Sequence, residues 1–123
     1  MTSSQGEGRV RALVLDHVEA FNDHDRGRLL RGLAADVVWS TGRDTIRGAE
    51  ALAEIFDDEL WAMQPFLTVE HLLVQGNRAG AQMSEALTVA GEQRCFAIAV
   101  FFHIRGGRIQ QAKVYREGSA DID

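Results

Sequence analysis

Two titratable side chains stand on otherwise apolar faces. The first is Glu85, in the run Gln82-Met83-Ser84-Glu85-Ala86-Leu87-Thr88-Val89. Met83, Leu87 and Val89 share its parity, so a strand here puts one carboxylate on a greasy face. Such a carboxylate is costly unless paired or hydrogen-bonded, and groups of this kind gather at functional sites. The functional reading is a general acid or base in a desolvated site. The plain alternatives are an ion pair with Arg116 that braces the sheet, or the opposite parity with Glu85 in water. The second group is His17, four residues after Leu13 and four before Phe21, on the apolar stripe of a helix. A neutral imidazole can both donate and accept a proton near neutral pH, so His17 suits a carbonyl or enolate partner. The alternative is a satisfied core histidine. Asp16 is its neighbour but points elsewhere by helical geometry.

The remaining chemistry-bearing residues form no recognisable constellation. His71 has the parity of Leu67, Val69 and Leu73 and suits either the interior or the outer sheet. His103 shares a face with Ala97, Ala99 and Phe101. No ligand pair has metal spacing such as H-E-x-x-H, so no metal and no cofactor is expected. Cys95 opens a strand without a catalytic histidine signature and reads as a structural or interface thiol. Gly106-Gly107 follows a strand and precedes another, so no helix N-terminus is available for a phosphate. Trp39 and Trp61 suit core or pocket rim.

The elements that position these residues centre on a long hairpin. Phe96 to Ile104 is apolar on both faces, and Arg108 to Arg116 alternates polar and apolar around Arg105-Gly106-Gly107. A helix is expected from about Arg9 to Asn22, a second from Arg26 to Gly32, and a third from about Ala49 to Met63, closed by Pro65. A short strand, Val37 to Ser40, a loop at 41–44 and a brief extended piece, Thr45 to Gly48, lie between the last two. Strands follow at Phe66–Val74 and Arg78–Val89. Helices first and strands later mean α+β: a curved, mainly antiparallel sheet wrapping three helices. The 123 residues make one domain, placed at 9–117, with a disordered tail at 1–8 and an acidic tail at 118–123.

Bulk properties exclude several partners. The net charge of −5 and the scattered basic residues argue against nucleic acid. No apolar stretch approaches the ~20 residues of a membrane span. A single cysteine permits no internal disulfide, the first residues lack an apolar signal core, and the cytoplasm is the simple expectation.

The stretches Phe21-Asn22-Asp23-His24-Asp25, Leu33-Ala34-Ala35-Asp36-Val37-Val38-Trp39, Ile46-Arg47-Gly48-Ala49-Glu50-Ala51-Leu52 and Gly107-Arg108-Ile109, with Tyr115, form a set in fixed order. Together they resemble the nuclear transport factor 2-like superfamily, in its SnoaL-like polyketide cyclase and ketosteroid isomerase-like branch. The resemblance runs from Val10 to Glu117. It implies a cone-shaped α+β barrel with three N-terminal helices on a strongly curved sheet. The isomerase machinery is absent: its helix tyrosine falls on His17, its base at or near Thr41, its acid on Val100 and its second tyrosine on Phe56. No cluster of Asp and Arg resembles the epoxide-hydrolase arrangement.

In this register the resemblance implies an interior lined by Trp39, Phe21, Phe56, Leu60, Met83, Val100, Phe102 and Arg116, with Glu85 and His17 as its catalytic groups. Such a cavity suits a hydrophobic, polycyclic or ketonic small molecule. The implied function is cofactor-free acid/base chemistry, by cyclisation, isomerisation, dehydration or hydrolysis. The alternative is a non-catalytic module of the same fold that binds a hydrophobic ligand or dimerises. A homodimer is expected through Ala97, Ala99, Phe101, His103 and Tyr115 on the outer sheet face.

Overall fold

A computed structural model describes residues 3–42 and 44–117. The first helix, α1 (Ser3–Asn22), buries Val10, Val14, Val18 and Phe21 along one stripe. It starts before the expected Arg9, so the segment expected as a disordered tail is helical from Ser3. A tertiary contact ties this extension down: Gly76 N–H donates to the Glu7 carboxylate at 2.8 Å. The acidic tail at 118–123 lies outside the described residues, as does Arg43 of the expected loop.

Asp25 caps α2 (Arg26–Arg31) by accepting from the Arg28 N–H. The expected third helix is broken into α3 (Ala49–Ala53) and α4 (Asp58–Ala62). The cause is Asp57, whose backbone is extended and whose side chain accepts from the Leu60 N–H at 3.0 Å. An N-cap at that position starts a new helix instead of continuing the old one.

Six strands form one open sheet in the order β2-β1-β6-β5-β4-β3. They are β1 (Leu33–Thr41), β2 (Asp44–Arg47), β3 (Phe66–Gln75), β4 (Arg78–Val89), β5 (Glu92–Arg105) and β6 (Arg108–Arg116). β1 is longer than the expected Val37 to Ser40 and takes in Ala34-Ala35-Asp36 as well. It runs parallel to β6; the other neighbours are antiparallel. Arg105 pairs with Arg108 around Gly106 and Gly107, both at positive φ, the two-residue turn that suits the strand twist.

Register shifts bend the sheet over the helices. In β3 Glu70 is the extra residue, because Val69 pairs with Met83 and His71 with Gln82. This break in parity turns His71 to the outer face and Leu72 inward. The inner face of β5 buries Phe96, Ile98, Val100, Phe102 and Ile104; β4 adds Ala79, Ala81 and Met83, and β6 adds Ala112 and Val114. Leu29, Leu52 and Val37 complete the core from the helical side and β1. At about 1.5–3 kcal/mol per large apolar side chain, this face is the main stabilising surface.

Candidate functional site

Within this core two polar side chains are buried, Glu85 at 7% exposure and His17 at 8%. The parity read for Glu85 is the one observed. Arg116 holds its carboxylate in an ion pair, reaching over β5 with its guanidinium 4.9 Å from the centre of the Phe96 ring. The bracing alternative is therefore present in the geometry. Phe96 completes the arrangement and was not assigned to it from sequence; its inward parity on β5 was the available signal.

His17 projects from α1 between two aromatic rings, Trp39 at 5.6 Å and Phe102 at 6.1 Å between centroids. Desolvation by burial lowers its pKa to about 4, against the opposing pull of Asp16. It is therefore a neutral imidazole at neutral pH. Its Nδ1 is buried without a hydrogen-bond partner among the described residues. Asp16 faces outward and binds Arg28, together with Glu19 and Asp23. That network raises the Arg28 pKa, because its guanidinium donates hydrogen bonds to the Asp16 and Glu19 carboxylates.

The other expected lining residues divide into groups. Trp39 and Phe102 flank His17. Phe21 stands edge-on to Phe56 at 6.4 Å and to Trp61 at 5.5 Å. Trp61 in turn stacks on His24 at 4.6 Å, with His24 held at positive φ in the turn after α1. Trp61 thus belongs to the aromatic cluster although it sits on α4, beyond the interruption that follows α3. Met83 and Val100 are buried on the inner face of the sheet, and Leu60 packs partly buried against the core. Sequence reasoning missed Asn22, whose amide donates to the Leu67 carbonyl at 2.9 Å and accepts from its N–H at 2.7 Å.

The structure does not bring Glu85 and His17 into contact. Glu85 pairs in register with Phe96, whereas His17 lies against Phe102, six positions further along β5. That separates the two backbone levels by about 20 Å at ~3.3 Å per residue. Two hollows, of about 430 and 140 Å3, lie on the outer face of the sheet, and neither is lined by His17 or Glu85. Among the described residues no three His, Cys, Asp or Glu side chains gather as a metal site would need. No described helix is long and apolar enough to cross a membrane.

A family model for the SnoaL-like domain matches residues 14–112. The chain belongs to the SnoaL-like family. Its architecture is that of the NTF2-like cone, and solved structures carry the same fold. An LEH-like epoxide hydrolase from M. tuberculosis is 19% identical, with a TM-score of 0.81 over 91% of this chain and 85% of that one. A protein from Jannaschia sp. CCS1, described as a SnoaL-like polyketide cyclase, is 14% identical, with a TM-score of 0.80 over 95% and 91%. A protein of ketosteroid isomerase-like fold from Catenulispora acidiphila, in complex with trimethylamine, is 17% identical, with a TM-score of 0.75 over 84% and 83%. At these identities the likeness is one of fold. No curated protein sequence matches the chain. The SnoaL-like fold accounts for the placement of both buried polar groups on its concave side, since helix α1 and strand β4 both face that side.

Proposed function

We propose that this SnoaL-like chain is a cofactor-free acid/base enzyme acting on a hydrophobic, polycyclic or ketonic small molecule. The reaction is a cyclisation, isomerisation, dehydration or hydrolysis. The observation that carries the reading is His17: a neutral imidazole, buried between two aromatic rings, with Nδ1 unpartnered among the described residues. A buried polar atom without a partner is uncommon in folded proteins. A substrate carbonyl or hydroxyl would supply the missing hydrogen bond and receive or give a proton there. Glu85 is the second proton-handling group. Its separation from His17 means that the two act at opposite ends of an elongated substrate. Entry requires the aromatic side chains of the concave face to move apart.

The Glu85–Arg116 ion pair favours a second reading. A carboxylate already held by a guanidinium is braced for structure, and the module then binds a hydrophobic ligand without changing it. Both readings accommodate a homodimer through Ala97, Ala99, Phe101, His103 and Tyr115. Phe101 and Tyr115 stand edge-on at 5.8 Å and are 57% and 51% exposed, which supports a covered outer face.

The test is a panel of polycyclic ketones incubated with the wild type, Glu85→Gln and His17→Phe, with product followed by mass spectrometry. The enzymatic reading expects turnover that both substitutions abolish while the fold is kept. Full activity in Glu85→Gln rejects Glu85 as acid or base. Saturable binding with unchanged compound in every protein selects the module.

A further inference from the structure

The outer face of the sheet is built in rows by its cross-strand register. Leu73, Gly80, Phe101 and Lys113 lie side by side, and Arg78 and His103 occupy the next row toward the hairpin tips. Gly80 leaves a notch in the first row, and the Phe101 ring leans across it. A Cβ at Gly80 would come within 3.0 Å of the Phe101 ring. The notch opens into the hollow of about 430 Å3, within the ~300–1,000 Å3 range of small-molecule sites.

The charged side chains of this hollow are all basic. Arg78, Lys113 and His103 line it, and no carboxylate does. Arg78 and Lys113 have no ion-pair partner among the described residues. Two cations without ion-pair partners therefore line the hollow over its apolar floor, the Lys113 ammonium lying 5.5 Å from the centre of the Tyr115 ring, in a chain whose net charge is −5. Leu73, at 75% exposure, and Phe101 supply the apolar wall. A cationic rim over an apolar floor complements a molecule with an apolar body and one negative end.

We infer that this hollow binds an amphiphilic anion: an apolar body carrying a single carboxylate, seated on Leu73, Gly80 and Phe101 with its head between Arg78 and Lys113. The site is separate from the interior one and does not rest on the enzymatic reading. It shares Phe101 and His103 with the proposed pairing face, so the anion and a second copy exclude each other there.

Decanoate, decanol and decyltrimethylammonium serve as probes, each titrated into the full chain below its micelle concentration and followed by amide chemical shifts. Decanoate is expected to shift Gly80, Phe101 and Lys113 and to leave His17 unmoved. It should bind more tightly than the alcohol, and the cation should bind least. Reversing both charges, Arg78→Glu with Lys113→Glu, should weaken decanoate roughly tenfold and leave decanol unchanged. Should that variant unfold, Arg78→Gln with Lys113→Gln makes the same comparison. The inference is overturned by absence of decanoate binding, by shifts centred on His17, by equal affinity for the cation, or by charge variants that bind decanoate as the wild type does.

Discussion

Arg116 on β6 spans β5 diagonally to hold the carboxylate of Glu85 on β4, with the Phe96 ring beneath its guanidinium. The two partners are unequally buried: the Glu85 side chain is 10% exposed and that of Arg116 is 37%. Removing the arginine strands a charge inside the protein, whereas removing the carboxylate leaves a cation that can turn to water. Arg116→Ala should therefore cost more than Glu85→Gln. A fully buried pair would lose ~3–5 kcal/mol with one partner gone, and screening at the exposed arginine reduces that to about 1–3 kcal/mol. Combining the two substitutions should recover part of the loss. Urea denaturation of the four proteins measures the coupling, and strictly additive losses would show that the pair does not brace the sheet.

His17 gives the fold a definite response to acid. Its pKa falls from 6.5 in the unfolded chain to about 4 in the folded one, chiefly by burial. The unfolded chain thus takes up this proton first as the pH drops. The contribution to stability is complete above pH 6.5, declines as the pH falls from 6.5 towards 4, and is exhausted below that. Its full size is about 3 kcal/mol at ~1.4 kcal/mol per pKa unit. His17→Phe keeps an aromatic ring in the same place and cannot be protonated. The difference in unfolding free energy between the two proteins should change with pH across this window, while the carboxylates, common to both, cancel. A difference that stays constant from pH 6.5 to 4 would mean that the imidazole is not desolvated in the fold.

How far the sequence foretold this arrangement depends on the range of the interactions that decide each part. The inward positions of β4, β5 and β6 follow from strict alternation, and the structure shows Met83, Glu85, Val100 and Phe102 all turned to the core. His71 was left open by the same rule, because one extra residue at Glu70 reverses parity and nothing local announces it. The break between α3 and α4 was missed because the apolar stripe from Leu52 to Leu60 reads as continuous, although Asp57-Asp58 held the capping signal. The Glu85–Arg116 pair was legible as an alternative since both residues sit at inward positions, on the two strands that flank β5. The distance between Glu85 and His17 was not legible, since it depends on how α1 crosses the sheet. The packing of Trp61 against Phe21 and His24 depends in the same way on tertiary contacts beyond any local pattern.

Asn22 joins the end of α1 to the start of β3. Its side-chain amide makes both hydrogen bonds that a neighbouring strand would make to Leu67, at 2.9 Å and 2.7 Å. β3 is the edge of the sheet, so this contact fixes where the edge begins. Asn22→Ala leaves a partly buried N–H and carbonyl unpaired and should cost about 1–3 kcal/mol. Asn22→Asp keeps the acceptor but sets a carboxylate oxygen against the Leu67 carbonyl, so it should rescue little. Hydrogen exchange at the Leu67 amide reads the effect directly. Protection that survives in Asn22→Ala would show that β4 pairing alone anchors this strand.

The proposed pairing of the outer face would centre on Phe101. Its ring is more than half exposed, it lies over the strand position of Gly80, and it meets Tyr115 edge-on, so an apolar ridge crosses the middle of the sheet. Alanines at 97 and 99 continue that ridge without bulk, which lets a second sheet approach closely. A stable interface takes about 800 Å2 from each partner, and a ridge of this kind supplies its apolar centre. A carboxylate placed there on both copies would set a charge at the apolar centre of the contact and meet its own image, even with Lys113 beside it. Phe101→Asp is therefore expected to shift the chain from dimer to monomer in sedimentation equilibrium, raising the dimer dissociation constant at least tenfold, about 1.4 kcal/mol. The exposed position predicts an unchanged circular dichroism spectrum and little change in monomer stability. A wild-type chain that sediments as a monomer at every concentration, or an aspartate variant that still pairs, would place the covered surface elsewhere.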